Sequence, residues 1–257
     1  MAKIIVSTGR GGVGKSTFVA LATKYLHPPM LLIDLDPDES LASMLGIDLS
    51  SNGKKTISDT LCHIMEQNKA SGRTGYDFLP AVLQQSIQSD CIYSSPEFDL
   101  ITLGTKFTVG CYCAPDAVLK DAIPALAQGY QEVLIDSPAG LEHLNRKVVV
   151  DIDDLFVILD PSEKSLKHVE RVRAITAALK VGCHHLHLVG NHRFTTETEE
   201  HLRNTGEAYL GRIDFDPGVR QRNLEGQSLL DLPGNSPAAL SVKGVLLKAG
   251  YNIKLGN

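Results

Sequence analysis

The 257-residue sequence contains no tryptophan, and aromatic residues make up 5% of it. A surface that binds single strands by stacking needs several such rings, so that class is disfavoured. No run of lysines or arginines interrupts a formal charge of -5, which leaves no electrostatic footprint for nucleic acid. No apolar stretch approaches the ~18 residues of a membrane-spanning helix. The chain starts at its first strand-like run, so no signal peptide is expected, and the expected compartment is the cytoplasm. Five cysteines, an odd number without a repeated framework, fit a reducing compartment better than a disulfide scaffold. Internal repeats and low-complexity segments are also lacking.

What is present is a hydrophobic content of 43%, enough for one large core. Strand-like segments fall at Ile4 to Ser7, Met30 to Asp34, Leu100 to Leu103, Glu132 to Asp136, Leu155 to Leu159, His187 to Val189 and Tyr209 to Ile213, and most are separated by patterns fit for helices. Leu31-Leu32-Ile33 and Phe156-Val157-Ile158-Leu159 are continuous apolar runs, as strands buried on both faces require. The fold class read from this is α/β: one domain over 1–257, with a mostly parallel twisted sheet of about seven or eight strands covered by helices on both faces. Residues 50–98 are the least regular part and read as an insertion carrying a few short helices. In such sheets ligands bind at the carboxyl ends of the strands.

Gly9 to Ser16 fits G-x-x-x-x-G-K-[ST], with a strand before it and a helix pattern after it. The glycines, Gly9, Gly11, Gly12 and Gly14, with Val13 between them, let backbone amides converge on phosphate oxygens. Lys15 is placed to reach the β- and γ-phosphates, Ser16 to ligate Mg²⁺, and Thr17 to follow at the positive end of the helix. Phosphoryl transfer also needs carboxylates from neighbouring strand ends. Asp34 and Asp36 close the second strand-like run, and Asp136 closes the fourth in the manner of a Walker B carboxylate.

With these residues in place, the chain resembles the deviant Walker A ATPases, the P-loop NTPases that include MinD, ParA, the arsenite pump ATPase and the nitrogenase iron protein. The resemblance implies an ATP-dependent homodimer that hydrolyses ATP to ADP with Mg²⁺. Where that family has a lysine crossing to the partner's nucleotide, this chain has Arg10. Its two readings are an arginine finger given in trans and a solvated cation at the rim of the pocket. The segment Asp34 to Pro37 is similar to the family's first switch, whose second aspartate, here Asp36, positions the attacking water. Asp136 to Gly140 is similar to the second switch, and Asn191 matches the asparagine that reads adenine.

A narrower resemblance, to the CooC type of nickel-inserting ATPase, is carried by Gly110-Cys111-Tyr112-Cys113-Ala114-Pro115 and by Ala139 to Arg146. It implies that Cys111 and Cys113 of two protomers bind one metal with four thiolates. The chemistry stands without the family, because cysteines at i and i+2 in an extended turn supply half of a four-coordinate site and a two-fold axis supplies the rest. Pro115 is expected to open a helix over 115–127 whose positive end favours the Cys113 thiolate. Nickel or zinc are the expected metals, with copper(I) and iron-sulfur clusters also compatible with soft thiolates. Cys62, Cys91 and Cys183 read as small apolar residues in packed sites. In Cys183-His184-His185-Leu186-His187, His185 and His187 are expected to share a strand face, with no carboxylate partner placed by spacing. His143 reads as structural or as a mobile switch residue rather than a ligand.

Two features depart from the CooC pattern. Asp136-Ser137-Pro138-Ala139-Gly140 is the MinD-like form of the second switch, and the C-terminal stripe of Leu240, Val242, Val245, Leu246 and Ala249 invites comparison with MinD's membrane helix. Gly244 and Gly250 weaken that helix on its own, so it is expected to pack on the sheet. The reading is therefore a nucleotide-gated ATPase that delivers nickel to carbon monoxide dehydrogenase or a related client metalloenzyme, with no nucleic-acid partner and no stable membrane association. The alternatives are a MinD- or ParA-like positioning ATPase and an iron-sulfur carrier.

Overall fold

The computed structural model describes residues 2–70, 85–105, 113–145, 147–149, 151–203 and 206–254. The strands are β1 (Lys3–Gly9), β2 (Met30–Asp34), β3 (Tyr93–Ser94), β4 (Phe98–Thr102), β5 (Glu132–Asp136), β6 (Asp151–Leu159), β7 (Gly182–Gly190) and β8 (Ala208–Arg212). They form one sheet in the order β3-β4-β2-β5-β1-β6-β7-β8. Every pairing is parallel except β3 with β4.

Each strand-like segment read from sequence lies in or overlaps one of these strands. The short edge strand β3 was not anticipated, because a two-residue antiparallel pairing leaves no periodicity to read. The first halves of β6 and β7 were missed for another reason: Asp151, Asp153, Asp154, His184 and His185 interrupt the apolar pattern.

Alternation along the strands divides the core between the two faces of the sheet. Val6, Leu31, Ile33, Val133, Ile135, Leu155 and Val157 face one side. That side is covered by α3 (Ile57–Ala70), α4 (Cys113–Leu126) and α6 (Glu163–Leu179) through residues such as Leu61, Ile123 and Val172. Ile5, Leu32, Leu134, Phe156 and Ile158 face the other. There α1 (Lys15–Thr23) and α9 (Pro237–Lys248) pack through Phe18, Leu21, Val242 and Val245.

The remaining helices, α2 (Ser40–Met44), α5 (Glu142–Asn145), α7 (Thr196–Arg203) and α8 (Pro217–Glu225), are short. The final helix packs on the sheet as expected, with its start capped by the Ser236 hydroxyl and with Pro237 in its first turn. Leu240 is a correction to the expected stripe, since it faces outward and is 48% exposed. Among the described residues no helix is long and apolar enough to cross a membrane.

Other expectations need adjusting. The helix expected from Pro115 begins at Cys113, with Pro115 inside its first turn, where the missing N–H costs nothing. The irregular region carries a 14-residue helix, α3, longer than the short helices expected there. Cys91 is buried as expected, but Cys62 and Cys183 are only half-buried. The Cys62 thiol lies 3.8 Å from Glu66.

At the end of the sheet away from the strand carboxyl termini, Asp154 is buried, 1% exposed, and binds groups from three other elements. Lys3 Nζ lies 2.6 Å away, His187 Nε2–H donates to Oδ1 at 2.7 Å, and the Tyr251 hydroxyl donates to Oδ2. Burial pushes the Asp154 pKa up, but the hydrogen bonds from His187, Lys3 and Tyr251 outweigh it and hold the carboxyl well below the usual range. Its contribution to stability is complete above the unfolded value of about 3.9 and is lost as pH falls toward the lower folded value. Asp154→Ala leaves Lys3 and His187 without their acceptor and is expected to cost about 3 kcal/mol at pH 7, measured by urea unfolding.

Candidate nucleotide site

The loop between β1 and α1 is built where only glycine fits. Gly9 has φ +151°, and a Cβ there would lie 2.4 Å from the Ile158 carbonyl oxygen of the neighbouring strand. Gly14, at φ +104°, precedes α1 in the left-handed region and turns the chain into the helix. The amide end of α1 thus faces a cavity of about 550 Å³ bordered by Gly11, Gly12, Lys15, Ser16, Thr17 and Asp36. Lys15 is buried, and its Nζ donates to the Arg10 carbonyl at 3.2 Å. Burial lowers its pKa, while Asp136 and Asp36 work in the opposite direction.

The carboxylates come from the next strands in the sheet. β2 and β5 pair Asp34 with Asp136, and β1 pairs Ser7 with Asp136, so the ends of β2 and β5 meet β1 at one row. Asp136 is fully buried, and neither oxygen receives a well-formed hydrogen bond. Burial raises its pKa, against the effect of the nearby Ser16 hydroxyl and the Lys15 ammonium. Asp36 lies on the loop after β2, at the edge of the cavity, where its Oδ1 accepts the Asp38 amide at 3.1 Å. A buried, unsatisfied carboxylate beside a serine hydroxyl, under a cradle of glycines, is a hard oxygen donor set that fits magnesium and a polyphosphate.

Arg10 points across the loop to β6. Its Nη1 lies 3.1 Å from the Ser162 hydroxyl and 3.4 Å from Asp160 Oδ2, which places it on its own chain rather than free at the rim. Asp160 is itself held by the Ser165 hydroxyl at 2.7 Å and by Ser162. Asn191 sits at the end of β7, 2% exposed, with its Oδ1 accepting the Arg193 amide at 3.0 Å. It borders a second cavity of about 440 Å³ that shares Gly12, Gly14 and Thr17 with the loop and is closed by His192, Phe215 and Leu224. Sequence reading missed these last three. A phenylalanine in a chain poor in aromatics was the only available signal for Phe215, since a loop has no period to read.

The structure places His143 in α5, 3% exposed, with neither ring nitrogen hydrogen-bonded. Burial, then the Lys15 and His168 charges, push its pKa down to about 3. Such a pKa keeps the buried ring neutral at pH 7. The histidines of β7 lie on a strand three places from β5 in the sheet, with His184 and His185 in the earlier part of the strand. His185 and His187 do share a face, their rings stacked with centroids 6.0 Å apart. Spacing places no carboxylate beside them, but the fold does: Asp154 approaches both, and Asp151 and Asp153 flank His184. Strand register supplies these partners, and sequence spacing could not. Among the described residues no three His, Cys, Asp or Glu side chains are arranged to hold a metal. Cys111 lies outside the described residues, as does the side chain of Cys113.

Residues 1–183 match a family described as the AAA domain. The chain belongs to that family. It is a P-loop ATPase of the MinD/ParA type, and its relatives span nearly its whole length. An uncharacterized ATP-binding protein of Methanocaldococcus jannaschii is 30% identical over 95% of this chain and 97% of its own. The carbon monoxide dehydrogenase accessory protein CooC of Rhodospirillum rubrum is 28% identical over 95% of each chain. Two solved structures share the fold of this AAA-domain ATPase. A ParA family ATPase from Chlorobium tepidum has a TM-score of 0.70 at 19% identity, over 98% of this chain and 100% of that one. The MinD protein of Pyrococcus horikoshii with Mg-ADP has a TM-score of 0.66 at 19% identity, over 97% and 96%.

The burial of His143 has a measurable consequence. Between pH 6.5 and about 3 the unfolded ring binds a proton that the folded one does not, so this group makes the fold less stable as pH falls. From pH 7.5 to 5.5 the loss amounts to about 1.4 kcal/mol. His143→Leu is expected to reduce the drop in unfolding free energy over that range by the same amount. Equal drops in the two proteins would show that the ring titrates freely.

Proposed function

We propose that this ATPase is a nucleotide-gated homodimer that delivers nickel to carbon monoxide dehydrogenase or a related metalloenzyme. The observation that carries this reading is the similarity to CooC over 95% of both chains, on a chain that also holds the Cys111-x-Cys113 pair. Two protomers would bring four thiolates to one metal, nickel or zinc, with the cargo gained or lost as the dimer tightens and loosens.

In the nucleotide site, the amides of Gly11 to Thr17 and the Lys15 ammonium bind the phosphates, and Asn191 recognises adenine. Ser16 and Asp136, the latter directly or through water, would hold magnesium, which would supply charge neutralisation for the bound phosphates. Asp36 accepts a hydrogen bond from the attacking water and orients it toward the γ-phosphate. Arg10 exchanges Asp160 and Ser162 of its own chain for the partner's phosphates. The cost of that exchange is small, because the Asp160 contact is long and Arg10 is 37% exposed.

A second reading, a positioning ATPase of the MinD or ParA kind, is favoured by the Asp136-Ser137-Pro138-Ala139-Gly140 form of the second switch and by the solved structures that share the fold. An iron-sulfur carrier using the same cysteines would be brown when purified without oxygen.

Anaerobic size-exclusion chromatography with metal analysis separates these readings. With nickel and ATP, one metal is expected to travel with each dimer and to be lost in Cys111→Ser, Cys113→Ser. Dimers without cysteine-dependent metal would sink the nickel reading, and ATP-dependent sedimentation with liposomes or DNA would then favour the second. For Arg10→Ala the expected result is a fall in kcat of order 10³, the range of an arginine finger. Hydrolysis and dimerisation at the parent's level would exclude a role in trans.

A further inference from the structure

The first switch contains two aspartates, and only one of them faces the cavity. Asp34 is completely buried at the end of β2 and does not line the space beside the phosphate loop. Its two oxygens are spent on the chain that follows. Oδ1 accepts the amide of Asp36 at 3.0 Å, and Oδ2 accepts the amide of Leu41, in the first turn of α2, at 2.9 Å. One carboxylate therefore grips the loop at both ends, just before and just after the segment that carries Asp36.

The grip is anchored from below. The Asp34 carbonyl accepts the Leu103 amide at 2.8 Å from the β4 side, and the Leu35 amide donates to the Asp136 carbonyl at 2.9 Å on the β5 side. Between the two gripped amides the loop is tightly folded. The Glu39 amide donates to the Asp36 carbonyl at 3.1 Å, and the Thr105 hydroxyl to the Pro37 carbonyl at 2.7 Å. Glu39 takes φ +54°, a left-handed conformation that a side-chain-bearing residue holds only when its surroundings impose it. A carboxylate in so dry a place is costly, and these two amides offset only part of that cost: burial and the neighbouring Asp136 still push the Asp34 pKa well above the usual range.

We propose that Asp34 is a positioning residue for ATP hydrolysis: by holding the Asp36 and Leu41 amides on one carboxylate, it fixes the Asp36 side chain at the cavity edge without itself touching nucleotide or magnesium. The proposal rests on the reading of Asp36 as the residue that orients water. Asp34→Asn conserves shape but converts one acceptor oxygen to an NH₂ group, which cannot accept an amide proton, so one end of the grip opens.

The test is a kinetic cycle of Asp34→Asn, Asp36→Ala and the double variant, with kcat, the KM for ATP, the magnesium half-saturation and thermal unfolding followed for each. The expected result for Asp34→Asn is a kcat lowered by about 10- to 100-fold, with KM and magnesium half-saturation within about threefold of the parent. In the Asp36→Ala background the same change should lower kcat no further, because there is no side chain left to aim. A full additional loss in that background, or a magnesium half-saturation shifted by more than about tenfold, would overturn the proposal and make Asp34 a direct ligand or an independent contributor.

If Asp36→Ala hydrolyses ATP at the parent's rate, the reading of Asp36 falls, and this proposal falls with it. An impaired Asp36→Ala with an additive Asp34→Asn sinks this proposal alone. Should Asp34→Asn fail to fold, amide hydrogen exchange on the unmodified protein decides. The Asp36 and Leu41 amides are expected to exchange at least about tenfold more slowly than unstructured peptide, and exchange at the peptide rate would rule out the grip.

Discussion

The parallel register of β1, β5 and β2 brings Ser7, Asp136 and Asp34 into one row, and the groups proposed to handle phosphate are arranged around it. Hydrogen bonds between the strands set this row to within fractions of an ångström, whereas loops alone would leave it loose. The β1–α1 loop then sits over the row because Gly9 allows the backbone to pass directly against the Ile158 carbonyl of β6. A side chain at that one position would push the loop, and Lys15 with it, away from the carboxylates.

Such a row is expensive. Asp34 and Asp136 are both without solvent contact, and each raises the cost of ionising the other. Lys15, also buried, loses part of its preference for the charged form. His143 is kept neutral by the same dryness. The site is therefore a place where charges of both signs are held short of water, the condition under which a bound polyphosphate and its cation gain most from them. For Asp34 two backbone amides offset part of the cost, whereas Asp136 has a hydroxyl near it and no well-formed bond. The difference is one of hydrogen bonding: both oxygens of Asp34 are held by the chain that follows it, and neither oxygen of Asp136 is.

Arg10 shows how a family position can be refitted. A lysine would present a point charge, whereas the guanidinium reaches Ser162 and Asp160, residues 152 and 150 positions away in the chain, and rests there. The resting place is braced by Ser165 and by the start of α6, so the arginine has a defined position on its own chain.

The sequence by itself determined the local parts: the phosphate loop between a strand and a helix, the apolar runs of β2 and β6 that must be buried on two faces, the breaking of the chain at glycines, and the aspartates that end β2 and β5. Each is encoded within a few neighbouring residues, by backbone sterics and by the period of apolar side chains. The tertiary structure alone decided which distant groups meet. Asp154 gathers Lys3, His187 and Tyr251, Asp151 and Asp153 flank His184, Phe215 closes the cavity beside Asn191, and Arg10 docks on Asp160. These meetings follow from strand order and register, which set partners by hydrogen bonding between segments far apart in the chain, and no spacing along a single segment carries that information.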